Sequence, residues 1–279
     1  MTKVNALVLT GFGLNCDMET AYAFKLAGAD ASRVHINSLI HGKERLEAYH
    51  ILAFGGGFSW GDDHGAGVIQ ALKMKNHLGE ELASFVEKGG LVLGICNGFQ
   101  TLVNLGLLPA AEKKYTERTA SITWNDCGNF RDQWVHLTGN PDSPCVYTRG
   151  LETADFPVRH GEGKFVASPD VLESLSENNQ VVFRYADENK NPAGQKFPMN
   201  PNGSMMDIAG ICDPTGRVFG LMPHPEAYNH FTNHPDWTRQ KSLLKRKGGE
   251  SDLAEFFNAV PAGIRLFENA VDYVNEHIQ

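Results

Sequence analysis

Apolar positions in the first hundred residues gather into three short runs, Leu7 to Leu9, Ile51 to Phe54 and Leu91 to Ile95, each closed by a glycine-rich or polar turn. Uninterrupted runs of that length predict strands buried on both faces. Between them, apolar residues recur at helical intervals. Thr20 to Ala27 sets Ala21, Phe24 and Leu26 among polar neighbours, and Val68 to Val86 carries Ala71, Leu72, Leu78, Leu82 and Phe85 until Gly89-Gly90 stops it. Such spacings predict helices. Alternation of this kind argues an α/β fold, with a mostly parallel sheet covered by helices on both faces. In these sheets functional groups collect beyond the carboxyl ends of the strands, where Gly55-Gly56-Gly57 and Gly94-Ile95-Cys96 both fall.

From about Tyr115 to Pro201 the pattern changes. Short β-like pieces (Ser121 to Trp124, Trp134 to Leu137, Val181 to Tyr185) alternate with Asn, Pro, Gly and Asp clusters, which predicts an antiparallel β elaboration of the same domain. Met205 to Cys212 and Arg217 to Met222 read as a hairpin through Asp213-Pro214-Thr215-Gly216, bringing the chain back to the sheet edge. Ile264, Phe267, Val271, Val274 and Ile278 share one face of a closing helix.

Composition narrows the classes. A chain of 279 residues, 42% apolar and 21% charged, is ordinary for a soluble globular protein. Its net charge of −8 argues against a nucleic-acid partner, which would need a basic face. Apolar segments fall short of membrane-spanning length, and the start at Met1-Thr2-Lys3 is too short and unflanked for a secretion signal. Five cysteines without paired spacing fit a reducing cytoplasm.

The candidate chemistry begins at Cys96. It stands between Gly94 and Gly98 where an apolar run meets a helical pattern, so a strained strand-to-helix turn would push its thiol clear of the sheet. A helix start beneath it favours thiolate. For Cys16, Cys127, Cys145 and Cys212 packing is the better reading. A thiol nucleophile needs a base and an orienting group. Pro223-His224-Pro225-Glu226 offers both, with two prolines expected to hold the segment extended and His224 and Glu226 on one side. Amides of Gly57 and Asn97 could form an oxyanion hole. Neither Gly55 to Asp62 nor Gly161-Glu162-Gly163-Lys164-Phe165 is a phosphate loop, since neither carries Gly-Lys-Ser/Thr. His230 and His234 invite a zinc reading, but Pro235 follows at once and His224 already has a role, so no metal is expected.

Together, Gly94-Ile95-Cys96-Asn97-Gly98-Phe99-Gln100, Gly56-Gly57-Phe58-Ser59-Trp60-Gly61-Asp62 and Met222-Pro223-His224-Pro225-Glu226 resemble the three motifs of class I (triad) glutamine amidotransferases. Asn15-Cys16-Asp17, His160-Gly161-Glu162-Gly163 and Asn202-Gly203-Ser204 before Asp207-Ile208-Ala209-Gly210 narrow the resemblance to the glutaminase subunits of phosphoribosylformylglycinamidine synthase. The matches run in order from near residue 4 to the final helix. The chain departs from compact members in Gly11-Phe12-Gly13-Leu14, in Trp60, in Asp63-His64 and in a polar insertion at about 227–252.

The resemblance implies a flavodoxin-like fold forming one amidotransferase domain over 1–279. It implies Cys96 as nucleophile, His224 as acid and base, Glu226 as its partner, and Gly57 and Asn97 as oxyanion donors. Gln100, His160 and Gly161 would help hold glutamine. No cofactor is implied for this chain; ATP and magnesium belong to a synthetase partner that turns formylglycinamide ribonucleotide into the amidine, with a small bridging subunit in many bacteria and archaea. A glutaminase of another amidotransferase, a cysteine hydrolase of the related superfamily and a non-enzymatic binding module are the alternatives. The basic run Arg239, Lys241, Lys245, Arg246 and Lys247 reads as a solvated loop or as a contact for an acidic partner face.

Overall fold

The structure, a computed structural model, describes residues 3–247 and 259–277. Ile278 and the end of the polar insertion from Gly248-Gly249 to position 252 lie outside the described residues. The chain runs β1 (Asn5–Thr10), α1 (Asp17–Leu26), β2 (Asp30–His35), α2 (Ile36–Ile40), β3 (Ile51–Phe54), α3 (Val68–Glu87), β4 (Leu91–Ile95) and α4 (Asn97–Leu105). It continues through β5 (Ala120–Trp124), β6 (Arg131–Gly139), β7 (Thr153–His160), β8 (Glu162–Ala167), α5 (Pro169–Glu177), β9 (Val181–Ala186), β10 (Ile208–Cys212) and β11 (Val218–Leu221). Among the described residues two helices follow, Trp237–Lys247 and the closing helix Ala262–His277.

Nine strands form one sheet in the order β2-β1-β3-β4-β11-β10-β9-β6-β7, and β5 pairs with β8 in a small second sheet. From β2 to β11 the pairings are parallel; from β11 to β7 they are antiparallel. The elaboration expected from sequence therefore extends the main sheet. It also corrects the place of the β10–β11 hairpin, which lies in the sheet's interior because β9, β6 and β7 continue beyond it. Asp213 builds the hairpin turn: its Oδ1 accepts from the Arg217 and Val218 amides and its Oδ2 from Tyr115 and Thr215.

The crossovers fix the faces. β1 to β2 steps one way along the sheet and β3 to β4 the other, so right-handed connections put α1 and α3 on opposite sides. The closing helix packs beside α1, with Phe24 and Phe267 edge to face at 4.8 Å, while α4 lies beside α3. β3, β4 and β11 are buried along their whole length, as the uninterrupted apolar runs require. Buried side chains make one continuous cluster. No helix among the described residues is long and apolar enough to cross a membrane.

Several elements escape the sequence pattern. β2 has a burial pattern broken by charges, and β7 carries Pro157 inside it. The basic run expected as a loop is a helix, Trp237–Lys247, because Gln, Lys, Leu and Arg all favour helix. The segment before it is less polar than its composition suggests: Tyr228 and His234 both pack on Trp134, at 5.3 and 4.8 Å.

Candidate active site

β4 ends in a bend that only two glycines permit. Cys96 has φ 52° and ψ −106°, outside the ordinary regions for a side-chain-bearing residue, and α4 begins at the next position. A Cβ on Gly98 would stand 1.9 Å from the Phe54 carbonyl oxygen, and one on Gly94 2.9 Å from the Gly98 backbone. Strand and helix thus meet with no room for a methyl group. The Cys96 thiol is 4% exposed and points at the Arg159 carbonyl oxygen, 3.7 Å away.

The glycine loop after β3 is fastened to the loop after β1. Asn15 and Cys16 amides donate to Gly56 O, and the Phe58 amide donates to Gly13 O. These bonds secure the residues on either side of Gly57, whose φ of 144° and closeness to Gly13 O (2.6 Å from a would-be Cβ) demand glycine. The Asn97 side chain is a hub. Its Nδ2 donates to Asp62 Oδ1 at 3.0 Å and Gln100 Oε1 at 3.1 Å, and its Oδ1 accepts from the Ser59 amide at 3.4 Å. Gln100 passes the chain on to the Glu162 carbonyl at 2.5 Å.

His224 follows β11 at the neighbouring strand end. Its Nδ1 lies 2.6 Å from Glu226 Oε1, and both side chains are buried. The extended geometry expected for this segment is corrected here. Pro225–Ala227 is a 3-10 turn, and the turn rather than an extended run swings Glu226 back under the imidazole. Proline is at home in the first position of such a turn, where its missing N–H costs nothing. The His224 amide donates to Pro157 O on β7, tying the two halves of the sheet together.

Burial alone would depress the His224 pKa, but Glu226, followed by the thiols of Cys96 and Cys16, outweighs it and raises it well above the ordinary value. Neither thiol makes a hydrogen bond to Nε2, which is left without a partner. Cys16 was expected to be a packing residue. It is buried, yet its Sγ, an imidazole nitrogen of His224 and a carboxylate oxygen of Glu226 lie within 4.8 Å of one another.

His160 ends β7 and is 2% exposed. Asn125 holds it. Its Nδ2 donates to the carbonyls of His160 and Asn129 while its Oδ1 accepts from the Gly163 amide, so Oδ1 is the acceptor that faces His160 Nδ1 at 3.2 Å. The proton therefore sits on Nδ1, and Nε2 is a buried acceptor with no partner. Burial, then the nearby His224, pushes the His160 pKa down to about 3. Gly161 accepts from the Asn125 amide through its carbonyl.

Sequence reasoning missed Asn125, Asp62 and Glu162 as site residues. Asp62 sits inside the Gly56–Asp62 stretch and Glu162 follows Gly161, so position alone was the available signal; nothing local marks Asn125. Burial and then the Glu162 charge raise the Asp62 pKa to about 6, against the bond from Asn97. A cleft of about 780 Å³ opens beside this network, lined by Phe58, Asp62, His64, Trp124, Phe130 and Glu162 among others. His230 and His234 stand apart from the triad. His230 Nδ1 is taken up by Thr232 at 2.7 Å, and His234 lies against Trp134 with Nε2 3.9 Å from Asp155.

An elbow cysteine, a carboxylate-backed histidine and a glycine loop at adjoining strand ends suit acyl transfer from an amide. Residues 3–274 match the model of the CobB/CobQ-like glutamine amidotransferase domain. A phosphoribosylformylglycinamidine synthase subunit PurQ from Methanococcus maripaludis is 45% identical over 278 residues, 99% of this chain and 100% of that protein. The subunit PurQ from Dehalococcoides mccartyi is 43% identical over 276 residues, again 99% and 100%. The solved structure of PurLQS from Thermotoga maritima superposes with a TM-score of 0.69 and 28% identity, covering 98% of this chain and 100% of that one.

Proposed function

The chain belongs to the CobB/CobQ-like glutamine amidotransferase family, as a glutaminase subunit of phosphoribosylformylglycinamidine synthase, and from that premise we propose that Cys96, His224 and Glu226 carry its chemistry. One observation bears most of the weight: a buried 2.6 Å contact between His224 Nδ1 and Glu226 Oε1, beside a cysteine held at φ 52°. Glu226 occupies Nδ1, so Nε2 is the nitrogen free to take a proton, and it is the one without a partner.

The reaction follows from that tautomer. Cys96 Sγ attacks the side-chain carbonyl carbon of glutamine as its proton passes to His224 Nε2. The upward displacement of the His224 pKa stabilises the imidazolium so formed. The oxyanion lies between the Gly57 and Asn97 amides; losing one such donor costs about 100- to 1,000-fold. His224 then gives the proton to the leaving nitrogen, and ammonia departs from a γ-glutamyl thioester. A water deprotonated by His224 attacks the thioester, releasing glutamate and restoring the thiol. Gln100, His160 and Gly161 shape the glutamine pocket: Gln100 through its bonds to Asn97 and Glu162, His160 through its free Nε2.

Free ammonia is protonated in neutral water and loses its nucleophilicity, so a sheltered route to the synthetase subunit is required. That subunit uses ATP and magnesium to convert formylglycinamide ribonucleotide into the amidine, and a small third subunit bridges the two. The whole chain acts as one amidotransferase domain in the cytoplasm, where its five free cysteines stay reduced. The test is Cys96→Ala assembled with its synthetase. Glutamine-dependent amidine formation disappears while ammonia-dependent formation persists; retention of both would remove Cys96 from the mechanism.

A further inference from the structure

Cys16 is the one cysteine beside the triad that this mechanism leaves idle. It occupies the position preceding α1, where a serine or aspartate would cap the helix, but its side chain makes no capping bond. Its Sγ has a 3.5 Å contact to Asn15 Oδ1 and otherwise faces the buried imidazole and carboxylate. The loop that brings it there is tightly fitted: a Cβ on Gly56 would meet His224 Cε1 at 2.6 Å and Cys16 Sγ at 3.2 Å. The nitrogen that can share one ion with Glu226 is Nδ1, already 2.6 Å from Oε1 and 3.4 Å from the same Gly56 Cβ position, and Oε2 is buried without a hydrogen-bond partner. A thiol, an imidazole nitrogen and a carboxylate oxygen within 4.8 Å of one another are a donor set for a borderline-soft divalent cation.

We propose that Cys16, His224 and Glu226 form an inhibitory site for a divalent cation of the zinc class, and that filling it silences glutamine hydrolysis. Zinc takes sulfur at about 2.3 Å and nitrogen or oxygen at about 2.0–2.2 Å, so small side-chain rotations bring the three donors onto one ion. Coordination replaces the Nδ1–H···Oε1 hydrogen bond with bonds from the metal to Cys16 Sγ, His224 Nδ1 and a Glu226 oxygen; the Cys16 thiol proton goes to solvent, the Nδ1 proton moves to Nε2, and water supplies a fourth position. An imidazole whose lone pair is on the metal cannot accept the proton of Cys96. The silencing half rests on His224 being the base, whereas the binding half stands on geometry alone.

Cobalt(II) titration of the reduced full chain under nitrogen tests the binding half, read by the thiolate-to-cobalt charge-transfer band. The band appears in the wild type and in Cys96→Ala, is displaced by zinc, and is lost in Cys16→Ala and Cys16→Ser. Since Cys16 caps nothing, these variants keep their helix, which circular dichroism checks. X-ray absorption of zinc-loaded Cys96→Ala needs no change at Cys16 and shows one sulfur at about 2.3 Å. A shell of nitrogen and oxygen alone, or a band that survives in Cys16→Ala, overturns the site. In the glutaminase assay, zinc inhibits the wild type, and Cys16→Ser raises the half-inhibitory concentration at least about tenfold. Binding through Cys16 that leaves hydrolysis untouched overturns the silencing role. Failure of the triad reading shows separately, as glutamine turnover in metal-free Cys96→Ala.

Discussion

On the parallel side of the sheet, the groups proposed to act stand where the backbone puts them. Cys96, Gly57 and the Asn97 amide are fixed by glycines with no room for a Cβ and by strand ends held in register. On the antiparallel side, His160 is fixed by side-chain bonds: Asn125 holds its ring, its own carbonyl and the Gly163 amide at once. The first arrangement is stiff and fails through steric clash. The second is a polar network that fails through lost bonds and through protonation. His224 joins the two, since it follows β11 on the parallel side and its amide is held by Pro157 on β7.

That junction carries the largest expected effect. Glu226→Gln leaves the side chain nearly isosteric but removes the charge that fixes the His224 tautomer. Glutamine hydrolysis falls by about 1,000- to 10,000-fold. Ammonia-dependent amidine formation by the assembled complex is the control that must hold. A loss under tenfold would mean the imidazole is oriented by the backbone alone.

Glycine substitutions sharpen the contrast on stability. In Gly98→Ala the new methyl collides with the Phe54 carbonyl, a main-chain atom that cannot swing aside, and destabilisation exceeds about 3 kcal/mol. Gly161→Ala, whose Cβ would meet only Phe130 at 3.9 Å, costs under about 0.5 kcal/mol. Denaturant melts of the two variants separate the stiff side from the adaptable one; similar midpoints would dissolve the distinction.

The same contrast explains what could be read in advance. Apolar runs ending in glycine marked β3 and β4, so Gly57, Cys96 and Asn97 could be placed from composition and spacing. His224 and Glu226 were legible as a pair for the wrong local reason, since a turn and not an extended segment joins them. β7 alternates Ala154, Phe156 and Val158 with Asp155 and Arg159, but Pro157 in its middle argues against a strand interior and hid it. Asn125 lies 35 residues before His160, and only the folded pairing of β5 with β8 brings it near. Long-range polar bonds leave no periodic trace. Cys16 illustrates the converse: its burial was foreseen, but its neighbours could not be.

The polar network also answers to acid. The His160 pKa is held near about 3, so between pH 6.5 and 3 the unfolded chain takes up a proton that the folded chain refuses. Stability therefore falls as pH drops through that window, by a few kcal/mol at its acid end, about 1.4 for each unit of pH. His160→Gln, which retains a hydrogen-bonding head, flattens the decline in a pH series of urea melts. An unchanged slope would show that His160 is protonated in the fold and hence that its ring is not sealed from water.

The smallest effect has the opposite sign and tests the seam between the halves. Asp62 belongs to the glycine loop, but its carboxyl is raised to about 6 by burial and by Glu162 from across the site. Between pH 4 and 6 the folded chain holds a proton that the unfolded chain has lost, so stability falls as pH rises and the full cost is present above 6. Asp62→Asn removes that cost and keeps an oxygen to accept the bond from Asn97. The site is half open to solvent, which screens much of the charge, so the gain at pH 8 is about 1 kcal/mol, or some 2–4 °C in melting temperature. The gain vanishes below pH 4, where Asp62 is protonated in both states. Thermal melts at pH 8 and pH 4 suffice: a variant stabilised equally at both would place the benefit in new packing, and a destabilised one would show that the Asn97 bond to the carboxylate outweighs its burial.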